Sequence, residues 1–196
     1  MSRLSKIFAA IDGLNAQDPN RITVEGAQQP AELVYGERMS AALARLYPEA
    51  SDELRIAARA QHIQRWSVPR DAYPPGRKGY LAWRNDLKRR HAETAAQLMS
   101  EQGFTEAQIA RVGKLLRKEG LKRDPEVQAL EDVACIVFLE HYLEAFAAGH
   151  DDDKVIAILR KTWRKMSPRA HEAARALELP PAAGRLVAKA LEAPAS

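Results

Sequence analysis

Leu4, Ile7, Phe8 and Ile11 recur at intervals of three and four, which predicts an amphipathic first helix that fades by Asn15. Asp18-Pro19-Asn20 predicts a turn, and residues 21–29 read as loop with a short extended piece at Ile22-Thr23-Val24. A second helix is expected from near Pro30 to about Leu46, and Ser51, with Asp52 and Glu53 behind it, caps a third. Residues 67–79 hold three prolines and two glycines and are not expected to be regular helix. A long fourth helix follows, from about Tyr80 to Ser100. Thr105 and Gln108 form a capping-box pattern for a fifth that stops at Gly120. Asp124-Pro125 opens a sixth running to Gly149, Asp151 caps a seventh, Ser167-Pro168 opens an eighth, and a short last helix near 181–192 precedes a loose tail.

The pattern therefore predicts an all-α fold: a single-domain bundle of about eight or nine helices over residues 1–178, with a C-terminal helix and tail over 179–196. A chain of 196 residues buries enough surface to fold without disulfides. Its one cysteine, Cys135, leaves no internal disulfide and no Cys-rich zinc site. The apolar run at the start ends at Asp12 without a cleavage site, and no stretch approaches the length of a membrane span. The expected location is the cytoplasm.

Charge is distributed unevenly. Residues 54–90 carry ten Lys and Arg against two acids, while residues 125–153 carry eight acids and neither Lys nor Arg. The two segments either pair with each other, or the first binds an anion while the second supplies carboxylates to a metal. Within the sixth helix the run from Leu130 to Leu139 is apolar nearly all round, which predicts a buried helix with Glu131 and Asp132 at its head. A buried carboxylate needs a cation, a metal or several hydrogen bonds. Asp132 is thus a salt-bridge partner, a metal or catalytic residue, or a group exposed at the helix end.

The stretch from Trp66 to Arg84 alternates aromatics with cations. Arginine offers a planar fork of donors to phosphate or carboxylate, and aromatic faces can hold a ring. Helical spacing puts Leu87, Arg84 and Tyr80 on one face with His91, and Arg59 and Trp66 on one face with His62. The two histidines are either hydrogen-bonded core residues or members of one cleft. The candidate anion- or substrate-binding residues are Arg59, Arg65, Trp66, Arg70, Tyr73, Arg77, Lys78, Tyr80, Trp83 and Arg84.

Two resemblances follow from these strings. Ile11-Asp12-Gly13-Leu14-Asn15 with Asp18-Pro19, the run Ala57 to Trp66, Pro69-Arg70, Gly79-Tyr80, Trp83-Arg84, Leu130-Glu131-Asp132-Val133 and Lys161-Thr162-Trp163 resemble the domain-of-unknown-function family DUF4202. More distantly, the helix order is similar to that of the HD superfamily of helical, metal-dependent phosphohydrolases. That likeness implies an HD-like core and a divalent metal held by Glu37, His62, His91 and Asp132, with Glu131 as support or proton acceptor. Gln61-His62 stands where the superfamily has His-Asp, and Glu37 where it has an earlier histidine. The implied ligand is a nucleotide or other small phosphoester that the protein hydrolyses. The alternative is a non-catalytic module binding RNA or a nucleotide through the loop at 66–84.

Overall fold

The computed structural model describes residues 2–192. It divides into two compact units, Met1–Leu130 and Glu131–Ser196. The described fold is all-α with one small hairpin, as the hydrophobic pattern predicts. The tail at 193–196 lies outside the described residues. Among the described residues no helix is long and apolar enough to cross a membrane.

In the first unit, α1 (Arg3–Asn15) starts at Ser2, whose hydroxyl accepts from the Ser5 amide. The extended piece expected at Ile22-Thr23-Val24 is β1 (Arg21–Val24), and it pairs with β2 (Ala27–Pro30) in the remainder of the segment expected to be loop, with Ile22 opposite Gln29. Its turn puts Glu25 at φ 51° and Gly26 at φ 82°. That pair of left-handed residues matches the twist of a two-residue hairpin, but Glu-Gly lacks the Asn or Asp that advertises it. Then come α2 (Ala31–Leu46), α3 (Asp52–Arg59), α4 (Gly76–Glu101) and α5 (Glu106–Arg117). α5 packs on α4 and α3, and α3 on α2, around Ile7, Ile11, Met39, Leu43, Ile56, Met99 and Leu115. Gly36 lets α2 approach α3 closely: a Cβ there would lie 2.9 Å from the Arg59 carbonyl oxygen.

Three boundaries differ from expectation. α3 ends at Arg59, so His62 sits in the turns beyond it and not on a helix shared with Arg59 and Trp66. α4 begins at Gly76, four residues before Tyr80. Its Gly76 takes φ 81°, and a Cβ on Gly79 would fall 1.8 Å from the Pro74 carbonyl oxygen. The two glycines therefore let the proline-rich loop fold onto the helix start instead of delaying it. The expected sixth helix is two, α6 (Pro125–His141) and α7 (Leu143–Ala148), because Tyr142 leaves the helical region at φ −127°. The division between units falls within α6.

The second unit continues with α7, α8 (Asp152–Lys165), α9 (Pro168–Arg175) and α10 (Pro181–Leu191). α10 packs on α8 and α7, burying Leu143, Val155, Leu159 and Leu186. Asp151 and Ser167 cap α8 and α9 as their sequences predict.

Candidate functional site

His62 is positioned by residues that carry no chemistry of their own. Arg59, at the end of α3, makes two hydrogen bonds to Asp12, at 2.6 and 2.7 Å. Buried Asn15 accepts from the Gln64 amide at 3.0 Å, pinning that residue in a left-handed conformation (φ 50°). Fully buried Asp18 accepts from the Glu32 amide at 2.9 Å, so it closes the start of α2. Asp12, Asn15 and Asp18 thus fix the chain on both sides of the imidazole. Arg59, expected to bind an anion, is instead a structural cation that also faces Glu37 at 3.7 Å.

Glu32 and Tyr35, three apart on α2, meet His62 together. The Tyr35 and His62 rings stack at 3.8 Å and 8°, and Glu32 Oε2 lies 3.2 Å from His62 Nδ1. Burial pushes the Glu32 carboxyl up to about 7, aided by Asp18 and opposed by Arg65. Burial also holds His62 well below its ordinary value, and Arg65, Arg84 and Lys118 lower it further. His91, on α4, has its ring 6.2 Å from that of His62. Its pKa is lowered to about 3, first by burial, then by His62, Arg65 and Arg84. Both imidazoles are neutral at pH 7.

Gln61, His62, Arg65, Arg84, Lys88, His91 and Lys118, with Leu87 and Leu116, line a cavity of about 20 Å³. Two of these residues have a buried side-chain atom with no hydrogen-bond partner, Gln61 Oε1 and His91 Nε2. A second cavity of about 170 Å³ shares Leu87 and His91, but its cation, Arg90, is already held by Asp86 at 2.8 Å.

The aromatic, basic stretch separates into three groups. Arg65 and Arg84 reach the cavity, Arg65 with its guanidinium 5.0 Å from the Trp83 ring centre and Arg84 6.0 Å from that of Tyr80. Arg70, Tyr73 and Trp83 are used internally. Arg70 donates to the carbonyls of Tyr73 and Pro74, the Tyr73 hydroxyl donates to Asp86 at 2.6 Å, and the Trp83 indole donates to the Val68 carbonyl at 2.8 Å. Arg77, Lys78 and Tyr80 are exposed at the start of α4, while Trp66 is half-buried in a one-turn helix at 65–67.

Of the residues expected to hold a metal, His62 and His91 come together. Glu37 does not join them, because its half-exposed side chain faces Arg59; the carboxylate at His62 is Glu32. In the second unit, Asp132 accepts from the Ser167 amide at 2.8 Å and from its hydroxyl at 2.5 Å, and Glu131 lies 3.4 Å from Lys165. Among the described residues no group of three or more His, Cys, Asp or Glu is arranged to hold a metal ion. Within the first unit the two imidazoles share their cavity with Arg65, Arg84, Lys88 and Lys118.

Glu32 was not legible as a site residue, since its meeting with His62 depends on how α2 packs. Its spacing from Tyr35 was the available signal. No curated protein and no solved structure matches the chain. The family model described as Domain of unknown function (DUF4202) matches residues 5–187, and the chain belongs to that family.

Proposed function

We propose that the pocket around His62 receives the phosphoryl group of a small phosphoester, nucleotides included, and that the protein is a cytoplasmic phosphohydrolase. The observation that carries this reading is a neutral imidazole, backed by a buried carboxyl, set among Arg65, Arg84, Lys88 and Lys118. The cations attract a dianion, and the two guanidinium groups offer paired donors to its oxygens. Glu32, held near neutrality in its titration, backs His62 as a proton store. As Nε2–H of His62 protonates the leaving oxygen, Glu32 supplies Nδ1 with a proton. No step in this scheme uses the expected metal. The distant likeness to HD phosphohydrolases supports the same substrate class.

The test pairs wild type with His62→Ala, with circular dichroism to confirm that the helices persist. Inorganic phosphate binding is followed by phosphorus NMR, and hydrolysis is assayed with p-nitrophenyl phosphate and nucleoside monophosphates. Wild type is expected to bind phosphate and turn over, and the variant to lose about 100-fold or more in kcat. Equal turnover by a folded His62→Ala protein, or no phosphate binding by wild type, would refute the proposal.

A second reading draws on the exposure of Arg77, Lys78 and Tyr80 beside the loop. In it the protein binds RNA or a nucleotide there without chemistry. RNA affinity would then fall steeply with salt and be lost on replacing Arg77 and Lys78. Salt-insensitive binding would exclude it.

A further inference from the structure

Ile63, Val68, Leu87 and His91 are the buried walls of the cavity of about 170 Å³. Gln64 and Thr94 are half-buried there, and the exposed Ser67, Arg90 and Glu93 mark its mouth. Both charges in this lining are already answered by residues outside it. Arg90 Nε donates to Asp86 at 2.8 Å, and the two Glu93 oxygens accept from Arg89 at 2.9 and 3.0 Å. With one cation and one anion, each paired, the lining favours neither sign of ligand charge.

The remaining chemistry is neutral hydrogen bonding. Gln64 carries an amide that both donates and accepts, and Thr94 a hydroxyl that does the same. The Ser67 hydroxyl donates to the Gln64 carbonyl at 2.8 Å, which leaves its oxygen to accept. His91 adds a buried ring nitrogen, Nε2, that has no hydrogen-bond partner. A ligand hydroxyl can give or take a hydrogen bond, so it serves that nitrogen in either tautomer. The wall is also preformed. Asn15 accepts from the Gln64 amide at 3.0 Å and the Val68 carbonyl accepts from the Trp83 indole at 2.8 Å, so binding need not order this segment.

Size and shape narrow the ligand further. A cavity of about 150 Å³ holds one benzene ring, so this one holds a single ring of that order. Among the described residues no Phe, Tyr or Trp lines it, and a flat base would lack the stacking face it usually takes. Ile63, Val68 and Leu87 instead present branched aliphatic groups, which suit the C–H face of a saturated ring. We infer that this cavity binds a neutral, polyhydroxylated ring, a monosaccharide of pentose or hexose size. Gln64, Ser67, Thr94 and His91 receive its hydroxyls. The site holds whether or not the protein is a phosphohydrolase.

Two-dimensional amide NMR on the isotopically labelled full chain, titrated with D-ribose and with D-glucose, is the test. At least one sugar is expected to bind with a Kd of about 1 mM or tighter, a modest efficiency for about ten heavy atoms. The shifts should centre on residues 63–68 and 90–94. Thr94→Val, which removes the hydroxyl and keeps the shape, should weaken binding about fivefold. Thr94→Phe, which puts a ring into the cavity, should abolish it, with circular dichroism confirming the fold of both variants. Glucuronate, which brings a charge, and adenine, which is flat, should bind about tenfold or more weakly than the better sugar. No shifts with either sugar in large excess, unchanged affinity in a folded Thr94→Phe or Thr94→Val protein, or adenine binding more tightly than both sugars would overturn the inference.

Discussion

Arg111, Lys114, Asp124 and Glu126 form one charged cluster of the first unit, and the residues around His62 form another. The two balance their charge differently. Asp124 accepts from Arg111 at 2.5 and 2.9 Å, from Lys114 at 2.8 Å and from the Glu126 amide at 3.1 Å, which also closes the start of α6. Glu126 accepts from Arg111 and from the Ser51 hydroxyl. The Arg111 hydrogen bond holds Asp124 well below the usual carboxylate range. The cluster is complete in itself, and its chemistry ends in stability. Around His62, four cations share a cavity with two neutral imidazoles, and two buried polar atoms, Gln61 Oε1 and His91 Nε2, have no hydrogen-bond partner. Charge that is matched within the fold locks structure, whereas buried polar atoms without a partner mark places where the fold can bind.

Asp124→Ala should break the first cluster with the largest effect on stability. Two cations lose their partner and α6 its cap, for a loss of about 3 kcal/mol in denaturant unfolding, with phosphate affinity unchanged. A loss of affinity as large as the loss of stability would erase the distinction between the two clusters. Arg84→Gln should do the reverse. Phosphate affinity should drop by about tenfold or more, as expected for one charge-assisted contact, while stability moves by less than about 0.5 kcal/mol. Titration calorimetry and thermal unfolding on the same sample decide it.

The smallest effect is on acid stability. His91 titrates near 6.5 when unfolded and at about 3 when folded, so between these values the unfolded chain binds the extra proton and wild type loses stability as pH falls. Glu32 has the opposite sign: its folded value of about 7 lies above the unfolded 4.5, so its contribution is lost as pH rises through that window. His91→Leu should therefore flatten the acid limb below pH 6.5, and Glu32→Gln the limb between about 4.5 and 7. Unfolding free energies measured from pH 4 to 8 check both; an acid limb in His91→Leu as steep as that of wild type would remove His91 from the balance.

What could be read from the sequence was what neighbouring residues decide. Ser51, Thr105, Asp151 and Ser167 cap helices because a short polar side chain reaches an amide two or three residues on, and that rule is local. His62, His91, Arg65 and Arg84 were legible as chemistry-bearing residues by type, and the structure brings all four to one cavity. Their partners were not legible. Glu32 lies thirty residues before His62, and Glu37, five residues further along α2, presents the same carboxylate to the periodicity. Which of them meets the imidazole depends on the turn that leaves α3 at Arg59, and that turn depends on Asn15 and Gln64. Arg70 and Tyr73 looked like ligand-binding side chains because their type is common to both roles. Their bonds to backbone carbonyls and to Asp86 arise only once Gly79 admits the loop.

Trp83 gives the pocket an optical signal of its own. Its indole is 8% exposed, tied to Val68, and overlain by the Arg65 guanidinium, which also borders the cavity. An anion that draws Arg65 from the ring removes a positive charge from a fixed chromophore. If an anion binds as proposed, its occupancy should therefore change the Trp83 contribution to tryptophan emission, and a Trp83→Phe variant should lose that change.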